Sequence, residues 1–213
     1  QYGSTVAIGN VVVSPSEFMP RLFAENGRLL DSQGRITLDT PEALRALENY
    51  RETYSYSDRT IYDFWKNALE GFADGTAAMT VVFINYASHI LNSQMSRIAG
   101  KLGFAPVPGG KPLLGGGVIG IAQSCTCPAA ACKFLEWLYA DLVAPVFTML
   151  GGLSPCRSAY SNRDISEQYP WLSTARKSFP TAQRRSNSTY YQNFSELQLE
   201  TILAAHVQQA VLG

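Results

Sequence analysis

With 213 residues, the chain is long enough for one large domain or two small ones. Its 46% hydrophobic and 16% charged residues describe an ordinary globular composition, and 17 basic residues balance 17 acidic ones. That balance leaves no electrostatic footprint for nucleic acid or a membrane surface, and no apolar run approaches the roughly 18 residues a membrane span needs.

In chain order, Val6, Ile8, Val11, Val12 and Val13 predict a strand and its approach. Ser14-Pro15-Ser16-Glu17 is a helix start, carrying Phe18, Leu22 and Phe23 to a cap at Asn26-Gly27. Residues 29–38 read as a hairpin around Asp31-Ser32-Gln33-Gly34. Asp39-Thr40-Pro41-Glu42 is the clearest helix start, with Leu44, Leu47, Tyr50 and Tyr54 following at helical spacing. A helix over about 60–72 puts Ile61, Phe64, Ala68, Leu69 and Phe72 on one face. Asp74-Gly75 breaks it, and the apolar run 77–84 predicts a strand buried on both faces. Residues 85–95 return to helix, and 101–107 and 118–122 read as two further strands. Helices follow from Pro128 onward, over 142–150, over 164–178 with a break at Pro170, and over 193–212. The last is the longest, with Leu199, Ile202, Leu203, His206 and Ala210 assigned to its apolar face.

Strands separated by helices predict an α/β fold with a mostly parallel or mixed sheet. Ligands in such sheets bind beyond the carboxyl ends of strands, which points to the residues after Phe83, after Val107 and around 115–118. Eleven Tyr, ten Phe and three Trp are a rich aromatic supply, most of it core material. Gln1 follows no Met and no leader, so the chain reads as a mature fragment or a piece of a longer protein.

Catalytic and cofactor motifs are missing. There is no H-E-x-x-H, no G-x-S-x-G and no P-loop, and Pro112 after Lys111 prevents a phosphate-holding helix start. Cys125, Cys127, Cys132 and Cys156 do not have zinc spacing, and His89 and His206 lie far from them. They are read as small, partly buried thiols, with a disulfide from Cys156 to the cluster as the alternative. His206, on an apolar helix face, reads as a packed histidine, and no metal or cofactor is expected.

Several segments carry a family likeness. Asn26-Gly27 with the 31–34 turn, Asp39-Thr40-Pro41-Glu42-Ala43 and Phe72-Ala73-Asp74-Gly75-Thr76-Ala77-Ala78-Met79 come first. Leu102-Gly103-Phe104-Ala105-Pro106-Val107-Pro108-Gly109-Gly110, Gly115-Gly116-Gly117-Val118-Ile119-Gly120-Ile121 and Leu150-Gly151-Gly152-Leu153-Ser154-Pro155-Cys156-Arg157 follow. Each is weak alone, but their shared order is specific. The chain resembles the C-terminal part of the sugar-type extracellular solute-binding proteins of ABC importers. It departs from that pattern in having Val118 where an aromatic often follows the glycines, and Cys156 before Arg157.

The resemblance implies a type II periplasmic-binding-protein fold, helix-rich with a small mixed sheet. Residues 1–118 with 166–213 would form the ligand-binding lobe, and 119–165 the hinge crossover and segments of the other lobe. It implies capture of a carbohydrate by hinge closure, delivery to ABC permease subunits, and an extracytoplasmic location with any lipid anchor outside this chain. It implies no catalysis and no nucleic-acid partner. Its candidate ligand residues are Asn85, Tyr86, Gly116, Gly117, Val118, Tyr190, Tyr191 and Asn193. Asn85 offers an amide that both donates and accepts, and Tyr86 offers a ring for stacking on a sugar face. The glycines let backbone approach a ligand closely. Trp65 and Trp171 read as packing residues, and Arg184 and Arg185 as solvated. The alternative is a cytoplasmic small-molecule sensor of a transcription regulator with the same fold, which the four cysteines favour. A polysaccharide-degrading enzyme is the third class.

Overall fold

A computed structural model describes residues 2–9, 12–59, 63–185 and 195–213. Strands β1 (Tyr2–Thr5) and β2 (Ala77–Thr80) pair in parallel, Tyr2 opposite Ala77 and Thr5 opposite Thr80. Parallel pairing requires a crossover, which consists of α1 (Val13–Ala24), α2 (Pro41–Ser55) and α3 (Trp65–Ala73). After β2 come a 3₁₀ turn (Ile84–Tyr86), α4 (Ala87–Leu91), α5 (Pro128–Leu138) and α6 (Val143–Met149). Then follow α7 (Ser158–Ser161), α8 (Arg163–Gln168), α9 (Pro170–Ser178) and α10 (Glu196–Leu212).

Local chemistry sets these boundaries. The Thr40 hydroxyl accepts from Ala43 N–H at 3.3 Å, and Pro41 occupies the first turn of α2. Beyond α1, Asn26 is left-handed at φ 64°, and Gly27 N–H returns to the Leu22 carbonyl at 2.9 Å. The hairpin closes through an antiparallel Leu30–Ile36 bridge, and the Asp31 carboxylate accepts from Gln33 N–H at 2.8 Å and Arg35 N–H at 2.9 Å. Ser195 and Gln198 form a reciprocal capping box at the start of α10.

One core joins α1, α2 and α10 through Phe18, Leu22, Tyr50, Leu199, Leu203 and Val207. A second gathers Ala87, Ala144, Tyr160, Trp171 and Leu172 from α4, α6, α7 and α9. Two smaller clusters seat α3 beneath the residues that follow β2. Trp65 and Trp171 are both buried in these clusters, as packing residues.

Several expectations are corrected. The run 77–84 is a strand only over Ala77–Thr80, and Met79 is 63% exposed. A strand is buried on both faces only when a layer covers each face, and here α3 supplies one. Residues 101–107 and 118–122 form no ladder; a strand needs a backbone partner, and among the described residues neither stretch has one. The helix expected over 60–72 begins at Trp65, and that over 85–95 is a 3₁₀ turn and a short α4 ending at Leu91. Ile61 lies outside the described residues. On α10 the buried stripe is Leu199, Leu203, Val207 and Val211, while Ile202 is 60% exposed and His206 and Ala210 are also exposed. His206 is therefore not a packed histidine.

All four cysteines are free: Cys127 and Cys132 exposed, Cys125 and Cys156 half-buried. No disulfide joins Cys156 to the cluster; its thiol donates to the Tyr139 carbonyl at 3.4 Å. Among the described residues no helix is long and apolar enough to cross a membrane, and no His, Cys, Asp and Glu side chains gather for a metal ion.

Candidate ligand-binding face

The parallel strands end at Thr5 and Thr80, whose hydroxyls bond at 2.8 Å. Beyond those ends, where ligands bind in open α/β sheets, the chain runs into α1 on one side and the 3₁₀ turn on the other. Asn85 and Tyr86 stand on that turn. Asn85 is exposed, whereas Tyr86 is half-buried against the α3 clusters. Burial pushes the Tyr86 phenol up from its ordinary range.

An aromatic wall supports the turn. Trp65 opens α3, is 7% exposed, and meets Phe83 edge-to-face at 4.9 Å and Phe64 at 5.1 Å. The Phe83 ring lies 3.1 Å from where a Cβ on Gly115 would sit, so the start of the crossover lies close against the ring. Gly116 and Gly117 follow with open space around them, and Val118 is 100% exposed. The start of the glycine crossover thus meets Phe83, which shares a cluster with Tyr86 and precedes the turn carrying Asn85. Val118 projects away from any packing.

Tyr190, Tyr191 and Asn193 lie outside the described residues. The backbone leading to them runs beside the crossover: Leu114 N–H donates to the Gln183 carbonyl at 2.7 Å, and Gln183 N–H to the Pro112 carbonyl at 2.9 Å. Arg185 is not a solvated arginine, which corrects the expectation for it. Its guanidinium pairs with Glu200 and donates to the Ser16 hydroxyl, with Glu196 at 3.9 Å. Glu200 and Ser16 are both buried, and a buried carboxylate needs a counter-charge. Arg184 is exposed, as expected.

Sequence reasoning missed Phe83 as the ring beside this face and the burial of Glu17 on α1. Glu17 read as a first-turn residue of a helix, yet it is 5% exposed. The signal available was its i, i+4 spacing to Arg21, with which it pairs at 3.1 Å. Burial raises the Glu17 carboxyl above its ordinary range, opposed by the Arg21 charge and its hydrogen bond. A folded state that holds this proton more tightly than the unfolded chain is favoured at acid pH. The Glu17 contribution is therefore fully present below the ordinary glutamate range and is lost as pH rises through the raised value. Glu17→Gln is expected to remove that part of the decline. Denaturant midpoints of both proteins between pH 4 and 8 check this, and identical slopes would refute it.

The bacterial extracellular solute-binding protein family model matches residues 11–174. The chain belongs to this family.

Solved structures of solute-binding proteins share its fold. Maltose-bound MalE3 of T. maritima superposes with a TM-score of 0.82 at 23% identity, over 99% of this chain and 56% of that one. An ABC transporter solute-binding protein of Agrobacterium radiobacter, in complex with ribitol, gives 0.75 at 21% identity, over 100% of this chain and 55% of that one. Its counterpart from Thermotoga lettingae, bound with α-D-tagatose, gives 0.74 at 24% identity over the same shares. The fold is the type II periplasmic-binding-protein fold, helix-rich with a small sheet. The chain spans a little over half the length of the structures it matches.

Proposed function

We propose that this chain is the larger part of a non-catalytic receptor that captures a carbohydrate outside the cytoplasm and delivers it to an ABC permease. The observation that carries this reading is the face at the carboxyl ends of the strands. There an exposed amide, Asn85, follows two residues after Phe83, the ring against which the glycine crossover begins. Residues 1–118 with 166–213 form the ligand lobe on this reading, and 119–165 carry the crossover toward a second lobe. Val118, Ile119, Phe134, Trp137 and Leu142 are exposed apolar residues in that crossover, and α5 buries none of its residues. An apolar surface of this kind suits contact with a second lobe. Ligand bridging two lobes biases an open–closed equilibrium, which is capture by hinge closure.

The test is a thermal-shift screen of the full-length protein against mono- and oligosaccharides and polyols. Ligand at a hundred times its dissociation constant stabilises by roughly 2.7 kcal/mol. Asn85→Ala is expected to weaken that ligand about tenfold through the lost amide bonds, while stability stays within about 0.5 kcal/mol because the residue is exposed. A well-folded protein with no shift across the panel would refute the carbohydrate assignment. An unchanged affinity in Asn85→Ala would remove this face from the site.

The four free thiols favour a second reading, a cytoplasmic sensor domain of a transcription regulator, because exposed free cysteines suit a reducing compartment. Fractionation decides: the transport reading requires the protein outside the cytoplasm.

A further inference from the structure

We propose that Arg185 is a positioning residue of the candidate ligand face, clamping the backbone pairing that delivers the glycine crossover to Phe83. This rests on the reading of that face as the ligand site.

The crossover reaches Phe83 from a short parallel pairing outside the sheet. Leu113 bridges Gln183, with Gln183 N–H donating to the Pro112 carbonyl at 2.9 Å and Leu114 N–H to the Gln183 carbonyl at 2.7 Å. Gly115 follows at once, against the Phe83 ring. Among the described residues no atom lies within 4 Å of a Cβ built on Gly116 or Gly117, so this pairing is the last support before the crossover departs. A lone bridge with no ladder around it stays closed only if both of its segments are held from elsewhere.

The 112–114 segment is held at the end of α1. There the Lys111 ammonium donates to the Asn26 side-chain carbonyl, and Gly109 packs against Ala24. The Gln183 segment is held by Arg185, two residues on. Its two terminal nitrogens go to different helices: Nη1 donates to the Glu200 carboxylate of α10, and Nη2 to the Ser16 hydroxyl of α1. A second carboxylate, Glu196, stands at 3.9 Å. Glu200 and Ser16 are both buried, where charge-assisted bonds are strong and their geometry is fixed. Only the planar fork of arginine offers two such nitrogens at once; lysine has one. Arg185 thus ties Gln183 to α1 and α10, two of the helices that build the first core. With both segments of the bridge anchored, Gly115 has one position against Phe83, and the crossover leaves for the ligand face from a fixed point.

The experiment uses the full-length protein. The pair is replaced by Arg185→Met together with Glu200→Met, because removing both charges leaves neither buried alone. Amide hydrogen exchange is read by NMR at Leu114 and Gln183, with Leu203 and Val207 of α10 as the reference, since local opening and global unfolding expose different amides. The double variant is expected to speed exchange at Leu114 and Gln183 by about tenfold or more, and at the reference amides by less than about threefold. The Gly115 α-proton resonance should move toward the position it takes in Phe83→Leu. Affinity for whichever of maltose, ribitol and tagatose the wild type binds should fall about tenfold. Arg184→Met, one residue away and exposed, should change none of these readings. Arg185→Lys keeps the charge opposite Glu200 but not the bond to Ser16, and should fall between; should the double variant fail to fold, this variant decides by the same readings. Unchanged exchange at Leu114 and Gln183 overturns the proposal. So does an equal rise at Leu203 and Val207, which marks a general loss of stability rather than a released bridge. Faster exchange with unchanged affinity overturns the positioning role. A wild type that binds none of the three probes refutes their assignment as ligands, and the exchange and Gly115 readings still decide whether Arg185 holds the crossover.

Discussion

Replacing Phe18 by Ala is expected to lower folding stability by about 3–5 kcal/mol. Phe18 is 1% exposed and stands where α1 meets α2 and α10, packed in one cluster with Leu22, Tyr50 and Leu203. Its removal opens a cavity that three separate helices would have to close. Helices this far apart in the chain relax only partly, so most of the lost contact is not regained. Denaturant unfolding of the full-length protein checks the value. A loss below about 1 kcal/mol would mean that α10 does not dock on α1 as described.

Gly109→Ala is expected to destabilise by about 2–4 kcal/mol, well beyond the same change at Gly110. Val107-Pro108-Gly109-Gly110 is a tight turn in which Gly110 N–H donates to the Val107 carbonyl at 2.8 Å. Pro108 occupies the second position and Gly109, at φ 79°, the third, as a type II turn requires. A Cβ on Gly109 would also overlap the Ala24 Cβ and lie 3.1 Å from its Cα, at the end of α1. Gly110 is left-handed too, at φ 67°, but nothing lies within 4 Å of its Cβ position, so Gly110→Ala carries the backbone strain alone, about 1–2 kcal/mol. Equal losses at the two positions would show that the contact with α1 contributes nothing.

The turn also shows what kind of feature is legible in a sequence. Pro-Gly-Gly states its conformation locally, as do Thr40-Pro41 at the start of α2, Asn26-Gly27 at the end of α1 and the Asp31–Gly34 hairpin turn. Each depends on bonds within a few residues. The stretches 101–107 and 118–122 have the composition of strands and are not strands, because a ladder needs a partner from elsewhere in the chain. On α10, Ile202 and Leu203 both fit a helical period, and only docking against α1 and α2 selects the 199–203–207–211 stripe.

The candidate face divides in the same way. Asn85, Tyr86 and the glycines were named from their order after a strand and from the family likeness; Tyr86 shares a cluster with Phe83, and the crossover begins at Gly115 against that ring. The parts behind them were not readable. Glu17 is buried by segments distant in the chain, and Ser16 and Arg185 are bonded across most of it. The i, i+4 spacing of Glu17 to Arg21 marks a pair but not its burial, because burial is a property of what other segments bring to it.

By itself, then, the sequence determined the capped start of α2, the end of α1, the tight turns, the α/β class and the family likeness. All of these follow from short-range hydrogen bonding, backbone freedom and side-chain order along the chain. Tertiary structure alone decided which apolar stripe of α10 is core, which strand-like runs stay unpaired, and that Trp65 and Phe83 pack edge-to-face beside the candidate face. Those outcomes depend on desolvation and packing between distant segments, and such forces have no fixed spacing in sequence.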